Sequence, residues 1–253
     1  MPSTLRALTY NIHSCIGADR RQDPERVLKI LRAVDADIVA LQEVRGYSAE
    51  NNQFQFLCHR LEGMAGVFGG TFRASRYSFG NALFVRGEIL ETRQLNLMVP
   101  PFDARGGIDC TVTVGGVRLR IVTVHLGLFP RERQQQLAML GHALKTHTED
   151  TTVVLGDFNI FGAERRRLYR IGAPKPLPRV RTFPAPRPIM SLDRVWTIPN
   201  ERMITLEAFR DSPARWASDH LPLIGEFSVV QTAAGEAARD EPAHTTPAAA
   251  RRV

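Results

Sequence analysis

The sequence predicts an α+β fold in which two mainly antiparallel sheets pack face to face with helices outside. Three observations predict it. Apolar strand-like runs alternate with helical patterns in the N-terminal third. From about residue 67 the period changes to two, with Gly115-Gly116 as a two-residue hairpin turn. Several strands are apolar on both parities, as expected of a strand lying between another sheet and a helix.

The elements follow in order. Leu5 to Ile12 reads as a buried strand that ends at Asn11-Ile12-His13. Asp23-Pro24 is a helix start, with an N-cap carboxylate and proline at the first helical position. Val27, Ile30, Leu31 and Val34 then fall at helical spacing, and Asp35-Ala36-Asp37 ends the helix. Ile38 to Leu41 is a second strand, ending at Gln42-Glu43. Phe54, Leu57, Leu61 and Met64 predict a helix ended by Gly66. Residues 81–86 and 88–97 read as strands. Ile108, Cys110, Val112 and Val114 alternate with polar residues before the hairpin, and Val117, Leu119, Ile121 and Thr123 return to Val124-His125. Pro130 starts a helix carrying Leu137, Leu140 and Leu144.

Val153, Val154 and Leu155 form the next buried strand, followed by Gly156-Asp157-Phe158-Asn159. If the extended conformation continues, Asp157 and Asn159 share a face with Val153 and Leu155. Two readings of this stretch stand open. It is a strand-ending turn, or a carboxylate beside an amide that can orient water, hold a hard metal or bind a phosphoryl oxygen. Residues 163–169 suggest a short helix, and the six prolines of 172–188 a loop. Residues 192–198, 203–209 and 221–229 read as strands. One catalytic domain over residues 1–230 and a disordered tail over 231–253 are expected, because the tail's composition cannot bury a core.

At 253 residues the chain suits one large domain or two small ones. No apolar run approaches the roughly 20 residues needed to span a bilayer, and no signal-peptide layout is seen at the N-terminus. Cys15, Cys58 and Cys110 match neither a metal-site spacing nor a disulfide framework, so a reducing cytoplasm is the simplest compartment. The net charge of +7 favours anionic partners. The basic residues are nearly all arginines and are scattered, a bias that genome composition alone could cause.

Polar residues recur at strand C-terminal ends. Val39-x-Leu41-x-Glu43, Ile121-x-Thr123-x-His125, Val153-x-Leu155-x-Asp157-x-Asn159 and Ala7-x-Thr9-x-Asn11-x-His13 each run from an apolar face into ionisable or amide groups. Any one could be a strand meeting solvent, but four together suggest one site on the rim of a sandwich. Asp219-His220 precedes the last strand. Asp193 lies in an apolar run, where an unpaired carboxylate would be costly. A histidine is a plausible partner for it, and the pairing would orient the ring and raise its basicity.

These residues resemble the endonuclease/exonuclease/phosphatase superfamily of metal-dependent phosphoesterases. The matching segments, in the superfamily's order, are 9–13, 38–44, Tyr77 with 80–83, 124–127, 156–159, 192–194 and 218–222. The resemblance implies a four-layer αββα, DNase-I-like sandwich with its site at one end of the sheets. It implies Glu43 as the principal Mg²⁺ or Mn²⁺ ligand, with Asn11 and Asp219 close to the metal. Asp157 would orient or deprotonate the attacking water. Asn159 and His125 would hold phosphoryl oxygens, and His220, paired with Asp193, would stabilise or protonate the transition state. Asn81, Arg105 and His13 would contact substrate. Ser14 stands where similar small bacterial members often carry a basic residue.

The expected activity is metal-dependent hydrolysis of a phosphodiester, with a lipid head group or small diester ranked above nucleic acid. A duplex-tracking nuclease needs aligned cations, whereas these arginines are dispersed and lysines almost absent. A nuclease and a non-catalytic phosphate-binding protein are the alternatives. Transient membrane-surface contact and a monomeric state complete the expectations.

Overall fold

The computed structural model describes residues 3–46, 52–73, 78–146 and 149–229. Eleven strands form two sheets among these residues. They are β1 (Ser3–Asn11), β2 (Ile38–Gly46), β3 (Ala65–Arg73), β4 (Ser78–Val85), β5 (Gly87–Asn96), β6 (Gly106–Val114), β7 (Val117–His125), β8 (Thr152–Asp157), β9 (Asp193–Ile198), β10 (Met203–Ala208) and β11 (Leu223–Val229). One sheet has the order β10-β11-β1-β2-β4-β3 and the other β5-β6-β7-β8-β9. Only β1 with β2 and β7 with β8 run parallel.

The four helices are α1 (Pro24–Val34), α2 (Gln53–Arg60), α3 (Pro130–Lys145) and α4 (Ala214–Ala217), with a longer 3₁₀ segment at Gly162–Ile171. The layers follow from strand parity. Leu5, Ala7, Ile38, Ala40, Ile121 and Val153 point between the sheets, where they pack with Phe227 and Val195. Leu8, Tyr10, Val39 and Leu41 point outward onto α1, α2 and α4. Val122, Val124, Val154 and Trp196 point outward onto α3 and the 3₁₀ segment. Each fully buried aliphatic contributes about 1.5–3 kcal/mol, so both faces of the central strands are committed. The architecture is the expected αββα sandwich.

Local chemistry explains the boundaries. The Asp23 side chain accepts from Glu25 N–H at 3.0 Å, Pro24 opens α1, and Asp35 closes it in a left-handed conformation. Gly115 and Gly116 both have positive φ, as a type I′ hairpin turn requires. Three expectations are corrected. The helix expected to reach Met64 stops at Arg60, and Gly66 lies inside β3, paired with Phe84. Leu61 and Met64 still pack on the outer core, which is why they counted as helical by spacing. The short helix at 163–169 is 3₁₀ and runs from Gly162 to Ile171. The strand expected from Leu221 begins at Leu223. Tyr77 and residues 231–253 lie outside the described residues.

Among the described residues, no helix is long and apolar enough to cross a membrane. Gly156 sits where β8 presses on β7. A Cβ there would lie 2.0 Å from the Val124 carbonyl oxygen, and its φ of +144° disfavours any side chain. Gly156→Ala is therefore expected to destabilise by about 3 kcal/mol or more, read as a lower midpoint in urea. A loss below about 1 kcal/mol would mean the strand pair can shift there at little cost.

Candidate active site

Register sets the first three side chains. His125 is paired with Asp157 across β7 and β8, and Asp157 with Asp193 across β8 and β9. Paired residues share a face, so all three project between the sheets at one end. From the facing sheet, Asn11 ends β1 on the same inward parity as Leu5 and Ala7.

Glu43 arrives by a different route from the one its sequence pattern suggests. Val39 and Leu41 face the outer core, and so does Val44. The pairing of β2 with β4 shifts between Leu41 and Val44, so Gln42 and Glu43 together oppose Asn81. Glu43 has a φ of +58°. This is a β-bulge, and it re-aims a carboxylate that a regular strand would have sent outward. Two further series break. Asn159 (φ +52°) and His13 (φ +46°) lie beyond their strands in left-handed turns, so neither continues the face of the residues before it.

Asp157 is the centre of the cluster. Asn11 Nδ2 donates to Asp157 Oδ2 at 3.1 Å and to Glu43 Oε1 at 2.9 Å. His125 Nε2 lies 3.6 Å from Asp157 Oδ2, and His220 Nε2 lies 3.7 Å from the same oxygen. The backbone N–H of Asn159 donates to the other oxygen, Oδ1, at 2.9 Å. The Asn11 oxygen accepts the His13 N–H at 3.0 Å, which fixes the amide with its NH₂ toward the two carboxylates. Asn11 therefore orients Glu43 and Asp157 as a donor, and its oxygen is turned away from them.

Asp193 and His220 form the expected pair, with Nδ1 2.9 Å from Oδ2. Thr182 donates its hydroxyl to the same Asp193 oxygen, and the Phe183 ring packs on the imidazole at 4.9 Å between centroids. Ser218 ties this corner to β1 by donating to the Asn11 carbonyl at 2.7 Å. Arg194 donates to the carbonyls of Asp193 and Ile160, bracing two segments that leave the site. Thr182 carried no sequence signal, lying in the proline-rich loop. Ser218 and Arg194 fell inside matching motifs.

The other predicted residues divide. Arg105 Nη1 sits 3.1 Å from both ring nitrogens of His125, so it lies across the imidazole. Asp219 is half-exposed, with Oδ1 3.9 Å from His13 Nδ1. Asn159 donates its side-chain amide to the Leu126 carbonyl at 3.0 Å. Asn81, opposite the Gln42–Glu43 bulge, is buried and donates across the sheets at 2.9 Å to Gly106, the residue paired with His125. Beneath the rim, Gln42 accepts from Thr9 and donates to Thr123, a second polar tie between the sheets.

The two buried imidazoles are driven apart. Burial and the Arg105 charge push His125 down to about 3, against the pull of Asp157. Burial also opposes charge on His220, but Asp193 and Asp157 override it and raise the ring to about 10. Burial raises the Glu43 carboxyl, and the Asp219 and Asp157 carboxylates push the same way, while Asn11 and His13 oppose them.

That convergence of carboxylates suits a hard cation, whose charge would relieve it. Asp157, Asp193 and His220 also bring ligand-type atoms within 4.8 Å of one another. Within that trio, Asp193 Oδ2 and His220 Nδ1 are committed to each other, whereas Asp193 Oδ1 has no hydrogen-bond partner and His220 Nε2 faces Asp157.

Two face-to-face sheets that gather carboxylates, imidazoles and amides at one end define a DNase-I-like sandwich with a hydrolase-type centre. The chain belongs to the endonuclease/exonuclease/phosphatase family, whose model matches residues 8–220. It is 29% identical to the uncharacterized protein YbhP of Escherichia coli (strain K12) over 245 residues, covering 88% of this chain and 96% of that protein. Among solved structures, it is similar to the endonuclease/exonuclease/phosphatase from Bacteroides vulgatus, with a TM-score of 0.70 and 21% identity, covering 88% of this chain and 98% of that one. It is also similar to D. rerio TDP2 complexed with single strand DNA product, with a TM-score of 0.68 and 19% identity over 89% and 99%. Members of this family are generally hydrolases acting on phosphoester bonds.

The two histidines set opposite limits on stability in the metal-free protein. His220's folded pKa lies above its ordinary 6.5. Its contribution is complete below about 6.5 and is lost as pH rises toward 10. His125's folded pKa lies below 6.5. Its contribution is complete above about 6.5 and is lost as pH falls toward 3. Denaturant unfolding in EDTA should show His220→Gln flattening the alkaline limb and His125→Gln making the acid limb shallower. An alkaline limb unchanged in His220→Gln would assign it to another group.

Proposed function

We propose that this protein is a divalent-metal-dependent phosphodiesterase that cleaves a compact diester by in-line attack of water. The observation that carries the reading is the shared Asp157 oxygen, contacted by an amide and approached by two imidazoles, one whose pKa is pushed down and one whose pKa is pushed up. Asp157 takes the proton of the attacking water, held in place by Asn11 and the Asn159 N–H. His220 is cationic at neutral pH. It faces the developing negative charge and can donate a proton to the leaving oxygen, with Asp193 and Thr182 fixing its ring. His125 stays neutral and Arg105 supplies the adjacent positive charge, so together they can hold a non-bridging phosphoryl oxygen.

Glu43 and Asp219 are the residues that would hold Mg²⁺ or Mn²⁺. When bound, such an ion neutralises phosphate charge and makes water more acidic. Glu43's carboxyl, raised by burial and by its acidic neighbours, is the group whose ionisation a cation would most favour. The family typically uses divalent metals, which supports this assignment. A compact diester is favoured over a duplex because the exposed arginines flanking the site come singly from separate segments of the chain.

Asp157→Asn is expected to lower kcat on bis(p-nitrophenyl) phosphate by about 10²–10⁴-fold with the fold intact. Glu43→Gln should lose Mg²⁺-dependent turnover, and EDTA should stop the wild type. Full activity of Glu43→Gln in Mg²⁺ would sink the metal assignment. Salt-sensitive plasmid nicking without small-diester turnover would favour a nuclease instead.

A further inference from the structure

The segments next to the active site carry an apolar fringe that the chemistry does not use. Among the described residues, six large apolar side chains are more than half exposed, and five of them are Leu128, Phe129, Phe161, Ile189 and Trp216. The sixth, Ile204, sits on the outer strand β10. Chain connectivity keeps the five close to site residues. Leu128 and Phe129 follow His125 by three and four residues, and Phe161 follows Asp157 by four. Ile189 precedes Asp193 by four, and Trp216 precedes Asp219 by three. A chain advances at most about 3.6 Å per residue, so each lies within about 14 Å of a site residue.

Three loops and the short helix α4 thus carry exposed apolar side chains close to residues of one site. Burying these residues at home would be favourable, and exposed apolar groups clustered at one end of a protein mark a docking surface. Charge accompanies them. Arg131, Arg166, Arg187 and Arg215 are exposed, each within five residues of one of the five, and none is in an ion pair among the described residues. Of the nearby acids, Glu164 is occupied by Arg133 and Arg167, leaving Asp103, Asp211 and half-exposed Asp219. Apolar tips backed by free cations match an anionic lipid surface, which accepts the tips below its head groups and attracts the arginines at them.

We infer that this end of the sandwich docks on an anionic phospholipid bilayer and brings the active site onto a phosphodiester at the bilayer surface. The inference rests on the phosphodiesterase reading only for its choice of substrate. Single-stranded nucleic acid fits less well. Base stacking needs free aromatic faces, yet the two most exposed residues of the fringe, Ile189 (69%) and Leu128 (61%), are aliphatic. Phe129 has one face against Phe102 at 5.0 Å.

The sequence supplies its own reporter. It has two tryptophans, of which Trp196 is fully buried and Trp216 is 54% exposed. Vesicles of phosphatidylcholine and phosphatidylglycerol with brominated chains are expected to quench and blue-shift Trp216 in the full chain. Leu128→Ser combined with Ile189→Ser should weaken that partitioning about tenfold or more. The same variant should turn over bis(p-nitrophenyl) phosphate as the wild type does. No quenching overturns the inference. So does equal partitioning by the variant, or a Trp216 response to a single-stranded oligonucleotide in place of vesicles. Vesicle binding without diester turnover by the wild type supports docking and removes the phosphodiesterase reading.

Discussion

The structure depends on a carboxylate that cannot reach water. Asp157 is about 1% exposed, and an ionised carboxylate in that position is costly unless donors and positive charge surround it. Its partners come from distant parts of the chain: Asn11 at the end of β1, His125 at the end of β7, the backbone after β8, and His220 before β11. The contacts from Asn11, in the facing sheet, and His220, just before its strand β11, form only if both sheets end at the same level. The polar ties just beneath, through Gln42 to Thr9 and Thr123 and from Asn81 to Gly106, help hold that level. The apolar inter-sheet core supplies the stability, and the polar ties fix the alignment.

The same requirement explains why two histidines beside one oxygen differ so much. Asp157 attracts a proton to both. His125 also meets the Arg105 guanidinium, and His220 also meets Asp193. Burial opposes charge on both rings; at His125 the Arg105 charge adds to it, and at His220 Asp193 together with Asp157 overrides it, which leaves the first neutral and the second charged. Two imidazolium ions at this distance would repel in a poorly solvated site, and two neutral rings would leave Asp157 and Asp193 uncompensated. The opposed states satisfy the buried charge, and they also provide an acid and a neutral hydrogen-bonding ring at one pH.

How much of this was legible depended on whether the backbone stayed regular. Asn11, His125 and Asp157 were read on the right face because each ends an unbroken strand, where alternation holds to the last residue. Asp193 was legible for an energetic reason, since a carboxylate in an apolar run needs a partner and His220 supplies it. Asn159 and His13 continue in sequence the alternation of strands that the backbone has already left. Their left-handed turns carry only a faint signal, the tolerance of asparagine and histidine for positive φ. Thr182 and Phe183 were not legible, because what makes them matter is a loop returning beside His220 and not any feature of their own segment. The helix expected to run to Met64 failed differently, since a short helix and the turn after it can contribute to the same apolar cluster.

Glu43 is the most instructive discrepancy. Alternation placed it with Val39 and Leu41, and those two face the outer core under the helices. A regular β2 would drive its carboxylate into that apolar layer. Burying an unpaired carboxylate there costs several kcal/mol. The observed alternative, a bulge with one non-glycine residue at positive φ, costs on the order of 1–3 kcal/mol. The bulge is the cheaper of the two, and it delivers the carboxylate to a donor, the Asn11 amide, at 2.9 Å. The comparison changes if Glu43 is replaced by an apolar residue, because the outer core would then accept the side chain and nothing at the rim would hold the bulge open. The backbone irregularity and the acid therefore depend on each other. A sequence pattern that sends an ionisable group into a core is evidence that the strand does not stay regular there.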